Sequence, residues 1–237
     1  VALITGASKG IGRAAAMRLA RDGARIAGCA TGTDLLAELK ERIESTGAAC
    51  MVRQCDVADW HSCEQLVRSV REHYGRIDIL VNNAGIGFSG KVVDLEPEDA
   101  EQMVRINILG VYHMARAVLP GMIEQSSGDI VNIGSVAGLK YSPGFALYSA
   151  TKFAVRAFSE GLRNEAQPHN VRVITVHPGM ANTNFFDLFT RNGSPLPVEK
   201  DRLLKAEDIA ETIHFALTRP DAVGLNELTV RPAWQER

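Results

Sequence analysis

Short apolar runs alternate with longer amphipathic runs along almost the whole chain, and this alternation limits the possible folds more than any other feature. The strand-like runs are residues 1–4, 25–29, 51–55, 77–81, 130–133, 171–176 and 227–230. The helix-like runs are residues 10–19, 35–43, 59–70 and 98–123, a run that contains Tyr148, and a run that begins near Glu207. Strands that alternate with helices of this length form βαβ units. The sequence therefore predicts an α/β fold, a doubly wound parallel sheet of about seven strands with helices on both faces.

Composition limits the size and the partners of the protein. The chain has 237 residues, 46% of them hydrophobic, which is enough for one domain over residues 1–237 with a sizeable core. A formal net charge of −2 provides no basic field for nucleic acid, and no apolar run approaches the ~20 residues of a membrane span. We therefore expect neither nucleic acid nor a membrane as a partner. Because the chain begins without Met inside a strand-like run, we expect a few residues to precede Val1.

The four cysteines indicate the compartment. Cys29, Cys50, Cys55 and Cys63 lack C-x-x-C spacing and have no set of His ligands nearby. Buried free thiols in a reducing compartment are the better interpretation than a metal site or a disulfide framework. The sequence thus predicts a cytoplasmic protein without a metal site.

A glycine-rich segment, residues 5–12 with the sequence TGASKGIG, directly joins the first strand to the first helix. Glycines at this point allow a tight turn and let the backbone approach a pyrophosphate at the helix N-terminus, where free N–H groups favour anions. The alternative is a glycine-rich turn without a ligand. The position between strand and helix favours dinucleotide binding, although the spacing is wider than GxGxxG.

Tyr148 and Lys152 are four residues apart on a predicted helix, so their side chains share one face. An unperturbed tyrosine titrates near pH ~10. A fixed cation one turn away stabilises the phenolate, and we expect it to lower the pKa of Tyr148 toward a useful acid/base. An isolated pair of this kind is more often a solvated helix surface, so its meaning depends on the motifs around it.

The surrounding motifs resemble those of the short-chain dehydrogenase/reductase family. Residues 5–12 are similar to its TGxxxGxG motif, residues 82–85 to its NNAG motif, and residues 148–152 to its YxxxK motif. Residues 56–57 match its Asp-Val pair, and residues 178–183 match its PGxxxT segment. All of these motifs occur in the family's order over nearly the whole chain, which is a highly specific signal. Two departures are minor: Gly134 stands where a second serine is frequent, and His177 precedes the PG pair.

The resemblance implies a Rossmann fold and an NAD(P)-dependent oxidoreductase that moves a hydride between a nicotinamide cofactor and a carbonyl or secondary alcohol. Tyr148 would be the proton donor or acceptor, and Ser135 would hydrogen-bond the reacting oxygen. Lys152 would bind the nicotinamide ribose as well as tune the phenol, and Asn107 would hold a water that links the lysine to solvent. The implied cofactor-binding residues are Gly6, Ser8, Lys9, Gly10, Ile11, Gly12, Thr31, Asp56, Val57, Asn83, Ala84, Gly85, Tyr148, Lys152, Pro178, Gly179 and Thr183.

The choice between the two nicotinamide cofactors depends on the end of the second strand. An NAD enzyme of this fold usually carries an acidic residue there, which binds the ribose diol and repels a phosphate. In this chain that position is Ala30, and Lys9 supplies a cation in the glycine segment. Ser8 and Thr31 add hydroxyl groups. We expect NADP(H) to be preferred, with NAD(H) possible because Thr31 replaces the arginine of many NADP enzymes.

The sequence says less about the substrate and the assembly. Residues 86–88, 136–147 and 180–203 should form the walls, and the four apolar residues Phe185, Phe186, Leu188 and Phe189 suggest a lid around residues 180–203. A small-molecule carbonyl or alcohol with an apolar rim is the expected substrate, although Lys140 could meet an anion. The resemblance and the apolar long helices favour a homotetramer, with a homodimer as the alternative. The rival function is a cofactor-binding sensor or scaffold without redox turnover.

Several polar residues have simpler structural interpretations. Asp34 is expected to be the N-cap of the second helix. His113 and His177 are interpreted as structural residues, and Trp234 is expected to pack rather than to catalyse.

Overall fold

Seven parallel strands form the centre of the molecule in a computed structural model, which describes residues 1–141, 143–185 and 199–235. They are β1 (Ala2–Thr5), β2 (Ile26–Ala30), β3 (Cys50–Gln54), β4 (Ile79–Asn82), β5 (Gly128–Ile133), β6 (Val171–Pro178) and β7 (Glu227–Val230). The order across the sheet is β3-β2-β1-β4-β5-β6-β7, with each neighbouring pair parallel. The predicted doubly wound sheet is confirmed. From β1 to β3 the strands are added toward one edge of the sheet, and from β4 to β7 they are added toward the other edge. The strand order therefore reverses between β1 and β4, and such sheets bind ligands at this point.

Helices cover both faces of this sheet. They are α1 (Gly10–Arg21), α2 (Asp34–Glu44), α3 (Trp60–Tyr74), α4 (Pro97–Val104), α5 (Gly110–Gln125), α6 (Ala146–Ala166) and α7 (Ala206–Leu217) in the described part of the chain. Helices α1, α2 and α7 enclose one apolar core with sheet residues such as Ile4 and Ile174. Helices α3, α5 and α6 enclose the second core with sheet residues such as Leu80 and Ile130. Each helix buries one apolar stripe, as the sequence periodicity indicates.

Two helix details differ from the sequence prediction. The single helix predicted over residues 98–123 is divided by a π-helical turn, Arg105–Leu109, which joins α4 to α5. The extra residue in a π turn shifts the side chains that follow it, and here the turn carries Asn107. Asp34 is the first residue of α2 rather than its N-cap, which is Thr33. By contrast, Asp59 is the N-cap of α3, because its carboxylate accepts hydrogen bonds from the N–H groups of His61 and Ser62.

Buried polar contacts fix the strands around the reversal point. The Thr5 hydroxyl at the end of β1 accepts hydrogen bonds from the N–H groups of Asn83 and Ala84, both at 3.0 Å. The Asn83 side-chain amide in turn donates to the main-chain carbonyls of Thr5 and Gly6. This reciprocal pairing holds the residues after β4 against the start of the glycine segment. Because the groups are partly buried, an unpaired partner would be costly.

Residues 97–125 form the helical segment of the described chain that is long and apolar enough to cross a membrane. Its side chains Met114, Val118 and Met122 are buried in the core between α3 and the sheet. Such packing is typical of a core helix. The predicted lid, residues 180–203, is described only at its two ends, and Phe186, Leu188 and Phe189 lie outside the described residues.

Gly12 tests how closely α1 must pack on the end of β1. A Cβ atom at this position would lie 2.4 Å from the Gly6 carbonyl oxygen and 2.5 Å from Nδ2 of Asn83. We predict that Gly12→Ala lowers the free energy of unfolding by about 1–3 kcal/mol, despite the better helix propensity of alanine. Gly90→Ala is the matched control, since no atom lies within 4 Å of its added Cβ.

Urea denaturation followed by circular dichroism measures both variants. The control should stay within about 0.5 kcal/mol of the parent protein. A Gly12→Ala protein as stable as the parent, or more stable, would contradict the close packing of the glycine segment on the helix.

Candidate active site

A cavity of about 680 Å³ opens at the carboxyl ends of the strands, across the point where the strand order reverses. This volume lies within the ~300–1,000 Å³ range that is typical of small-molecule and cofactor sites. The predicted site residues that line it are Gly6, Ser8, Lys9, Gly10, Ile11, Thr31, Asp56, Val57, Asn83, Ala84, Gly85, Ser135, Tyr148, Lys152, Pro178, Gly179 and Thr183. Two predicted residues do not line it. Gly12 packs against the Gly6 carbonyl and the Asn83 side chain, and Asn107 lies behind Gly85.

The glycine segment has the geometry of an anion cradle. Gly6 has a φ of +63° and Gly10 a φ of +56°, a region that glycine enters without steric cost. A side chain at Gly6 would also come within 3.0 Å of the Asn83 amide nitrogen. Helix α1 begins at Gly10 with no acidic residue in its first turn. Its free N–H groups and positive dipole end therefore face the cavity, which suits a pyrophosphate.

The opposite side of the glycine segment meets the ends of β2 and β3. Ala30 ends β2 and lines the cavity with Thr31, so no carboxylate occupies this position. Lys9 and Ser8 line the same region from the glycine segment. Asp56 also lines the cavity, and one of its carboxylate oxygens accepts a hydrogen bond from the Ala58 N–H. The residues present fit an adenosine ribose that carries either a hydroxyl or a phosphate.

Tyr148 and Ser135 meet at the other end of the cavity. Tyr148 is buried in the first turn of α6, and Ser135 directly follows β5. Burial raises the pKa of Tyr148 to about 12, and its hydrogen bond with Ser135 lowers that pKa by a smaller amount. The expected lowering below the ordinary value is therefore wrong for this structure. Removal of the phenolate from water outweighs the favourable contacts at this site.

Lys152 is a buried cation one turn after Tyr148. Its ammonium Nζ donates a 2.9 Å hydrogen bond to the Ile133 carbonyl at the end of β5. The same Nζ lies 5.9 Å from the centroid of the Tyr148 ring, so the effect of its charge on the phenol acts through space. Burial lowers the pKa of Lys152 to about 8. The ammonium thus lines the cavity and anchors α6 to β5 at once.

Asn107, in the π turn, is hydrogen-bonded to two neighbouring elements. Its side-chain nitrogen donates to the Ile86 carbonyl at 2.8 Å and to the Thr151 hydroxyl at 3.1 Å. Its side-chain oxygen accepts from the Ile86 N–H at 2.9 Å. Thr151 donates onward to the Tyr148 carbonyl at 2.7 Å. These bonds join the π turn to the loop after β4 and to α6, and the water expected at Asn107 stays a prediction.

Apolar side chains surround the phenol. The Phe185 ring lies 5.6 Å from the Tyr148 ring, centroid to centroid. Further apolar lining comes from Ile86, Val136, Ala137, Phe145 and Met180, as the predicted wall segments suggest. Lys140 lines the cavity but is exposed. Gly87 and Phe88 do not line it, since Phe88 packs beneath the wall in a cluster with Met103.

The sequence interpretation missed several residues of this site. Gln235 reaches the cavity, and its side-chain oxygen accepts a 3.1 Å hydrogen bond from the Met180 N–H. Ser149 is buried, lines the cavity and has an unpaired hydroxyl oxygen. Thr151 links Asn107 to α6. The last two lie inside the YxxxK segment, whereas nothing in the sequence near Gln235 indicates its position.

The residues expected to be structural do make structural contacts. A ring nitrogen of His113 lies 2.9 Å from the Val57 carbonyl. The Trp234 indole donates to the Arg202 carbonyl, and the Arg202 guanidinium lies over its ring. The four cysteines are free and buried. Among the residues that the structure describes, no group of three His, Cys, Asp or Glu side chains could hold a metal ion.

The fold and this cavity define a doubly wound protein of the dinucleotide-binding class. Residues 1–192 match the family model described as short chain dehydrogenase. A protein named as an uncharacterized oxidoreductase from Staphylococcus saprophyticus is 38% identical over 237 residues, which cover 98% of this chain and 97% of that protein. The chain therefore belongs to the short-chain dehydrogenase/reductase family and is an oxidoreductase of that family.

Two solved structures show the same architecture with different cofactors. The alcohol dehydrogenase of the archaeon Thermococcus sibiricus, complexed with 5-hydroxy-NADP, superposes with a TM-score of 0.90 at 31% identity, covering 100% of this chain and 97% of that one. A xylitol dehydrogenase bound to NAD⁺ superposes with a TM-score of 0.89 at 29% identity, covering 98% and 97%. Neighbouring structures thus bind either nicotinamide cofactor.

The buried ammonium of Lys152 makes stability depend on pH in the alkaline range. Its pKa is about 8 in the folded protein and 10.5 in the unfolded chain. The unfolded state therefore holds more protons between pH 8 and 10.5, so this group's contribution to stability rises with pH through that window. We predict that Lys152→Met gains up to about 3 kcal/mol of stability at pH 7 because no charge is buried, offset in part by the loss of the hydrogen bond to the Ile133 carbonyl.

This advantage should shrink as the pH rises from 8 toward 10.5, which urea denaturation at a series of pH values can measure. Lys140→Met is the control, because that side chain is exposed. A stability difference between the Lys152 variant and the parent that is independent of pH across this window would contradict the depressed pKa.

Proposed function

We propose that the protein transfers a hydride between a nicotinamide cofactor and a carbonyl or secondary alcohol, with Tyr148 as the proton donor or acceptor. One observation carries this proposal: Tyr148, Ser135 and Lys152 converge at one end of a single cavity, and the glycine segment forms its other end. The glycine segment would hold the pyrophosphate of a nicotinamide cofactor, and Lys152 beside Tyr148 would hold its nicotinamide ribose. A sensor or scaffold would need only the glycine end.

Each side chain has a role that follows from its contacts. In the reductive direction the substrate carbon receives the hydride, which the bound nicotinamide cofactor supplies, and the substrate oxygen receives a proton from Tyr148. With a pKa of about 12 in the free protein, the phenol is fully protonated at neutral pH and ready to donate. The Ser135 hydroxyl donates a hydrogen bond to the same oxygen as negative charge develops on it.

The positive charge of Lys152 favours the phenolate that remains after proton transfer, and its free N–H groups bind the ribose hydroxyls of the cofactor. Asn107 helps to position Tyr148. Its side chain bonds the loop at Ile86 and, through Thr151, the first turn of α6. We assign it as a positioning residue, and a water held at Asn107 that links Lys152 to solvent remains part of the proposal.

The substrate is a small molecule whose carbonyl or hydroxyl group has apolar neighbours. Phe145 and Phe185 pack with Tyr148, and Val136 also lines the cavity, so these apolar side chains limit the access of water to the reacting atoms. Exposed Lys140 at the rim allows an acidic group at the distant end of the substrate. The residues at 180–203 would cover this side as a lid.

Removal of the phenolic oxygen by the substitution Tyr148→Phe tests the role of Tyr148. We predict that Tyr148→Phe lowers kcat at least about a hundredfold, because the proton donor is lost, while cofactor affinity stays nearly the same. Tyr141→Phe is the matched control, since that ring is 82% exposed and remote from the phenol's contacts. The assay follows NADPH absorbance with a panel of aldehydes, ketones and β-dicarbonyls, and cofactor binding is measured by fluorescence. Retained turnover in the Tyr148 variant would refute the assignment.

We further infer that NADP(H) is preferred over NAD(H). Ala30 leaves the end of β2 without the carboxylate that would repel a 2′-phosphate, and Lys9 adds a cation beside the cavity. The hydroxyl groups of Ser8 and Thr31 line the same region and can donate to phosphate oxygens.

Two substitutions test this preference from opposite directions. Ala30→Asp adds a repelling carboxylate, and Lys9→Ala removes a charge-assisted bond worth ~1.5–3 kcal/mol, so each should shift the ratio of kcat/KM toward NADH by about tenfold or more. Lys140→Ala, at the substrate end of the same cavity, should leave the ratio unchanged. A parent protein that already favours NADH, or variants that do not move the ratio, would place the phosphate site elsewhere.

We also propose that residues 1–237 act as one domain, in a homotetramer or homodimer, in the cytoplasm. Leu109, Tyr112 and Phe153 are exposed apolar side chains on or beside the long helices α5 and α6. Burial of these side chains against a second copy would remove them from water. The four buried free thiols suit a reducing compartment.

A further inference from the structure

We propose that His177 is a positioning residue for Ser135: its imidazole, as the neutral Nδ1–H tautomer, donates a hydrogen bond to the Ser135 main-chain carbonyl and thereby fixes the serine hydroxyl toward the substrate oxygen. This inference rests on the proposed function only for its effect on turnover. The contact itself is a property of the folded protein.

The tautomer follows from the partner. Nδ1 of His177 lies 3.1 Å from the Ser135 carbonyl oxygen, and a carbonyl can only accept, so Nδ1 carries the proton. The second ring nitrogen, Nε2, is buried and has no hydrogen-bond partner. It lies 3.7 Å from a carboxylate oxygen of Glu227, which itself is paired with the Arg156 guanidinium. Burial lowers the pKa of His177 and thus favours the neutral ring.

Gly134 leaves the space that this ring occupies. A Cβ atom at residue 134 would lie 2.6 Å from Nδ1 and 2.9 Å from Cε1 of His177. The two positions where the chain departs from the family's motifs are therefore adjacent, and the His177 ring requires a residue without a Cβ atom at position 134. The imidazole of His177 on β6 crosses over Gly134, where there is no Cβ atom, and reaches the Ser135 carbonyl.

The contact bears on the reaction through the main chain at the end of β5. The Ser135 carbonyl accepts from the Gly138 N–H at 2.9 Å as well, so the imidazole occupies its second acceptor position. The Ser135 hydroxyl oxygen accepts from the Ala137 N–H at 3.1 Å, which leaves its proton for another acceptor, such as Tyr148 or a substrate oxygen. Residue 135 is thus held from both sides, and the imidazole is the part of this support that comes from β6.

Paired substitutions at residue 177 measure this effect. His177→Leu keeps much of the volume but removes the donor, and it should lower kcat about tenfold with little change in cofactor affinity. In His177→Asn the amide nitrogen takes the place of Nδ1 and should recover most of that loss. Because His177 acts through Ser135, adding His177→Leu to Ser135→Ala should cause no further loss. An equal loss in both backgrounds, or failure of Asn to recover turnover, would overturn the proposal.

A second measurement is independent of turnover and of variant folding. Long-range ¹H–¹⁵N NMR spectra of the parent protein report which imidazole nitrogen carries the proton. We expect the Nδ1–H form for His177 at pH 7, and a spectrum of the Nε2–H form would overturn the proposal. Should no carbonyl or alcohol substrate turn over, the proposed function fails, yet the NMR result still decides the contact.

Discussion

The hydrogen bond from the buried Lys152 ammonium to the Ile133 carbonyl is the contact on which the arrangement of the site depends. It joins the first turns of α6 to the end of β5, so that Tyr148 on the helix meets Ser135 after the strand. Gly138 allows the same approach, because a Cβ there would lie 2.7 Å from the Lys152 carbonyl oxygen. A buried cation is costly, and its burial lowers the pKa of Lys152 to about 8. The buried Lys152 charge thus lowers stability, but it lines the cavity.

A line of buried polar groups connects this end of the cavity to the rest of the sheet. The Asn82 amide at the end of β4 donates to the Asn132 side chain of β5, and Asn132 donates to the Ser159 hydroxyl of α6. Asn83, the next residue, holds Thr5 and Gly6. The adjacent residues Asn82 and Asn83 therefore link the glycine segment to α6, the helix that carries Tyr148. Both ends of the cavity are fixed relative to one another by groups that lose their partners if the strands move.

The sequence predicts the architecture because its periodicity is local, and each of the seven strands lies where an apolar run indicates. The residues of the cavity were predictable because they belong to short motifs at strand ends. The features that the sequence could not predict depend on groups that are distant along the chain. The burial that raises the pKa of Tyr148 to about 12 comes from several elements, whereas the expected lowering considered only the neighbouring turn. Similarly, the π turn at Asn107 and the reach of Gln235 depend on tertiary packing rather than on pattern.

The proposed function requires that one cavity hold a nicotinamide cofactor and a carbonyl substrate with their reacting atoms in contact. The most direct test is transfer of deuterium from NADPH labelled at C4 of the ring, on each face in turn, to a carbonyl compound that the protein turns over, followed by mass spectrometry of the alcohol. If hydride transfer occurs in this cavity, deuterium is found on the carbinol carbon when one face of the ring is labelled and not when the other face is labelled. An alcohol product without label from either face, or with label from both faces, would contradict it.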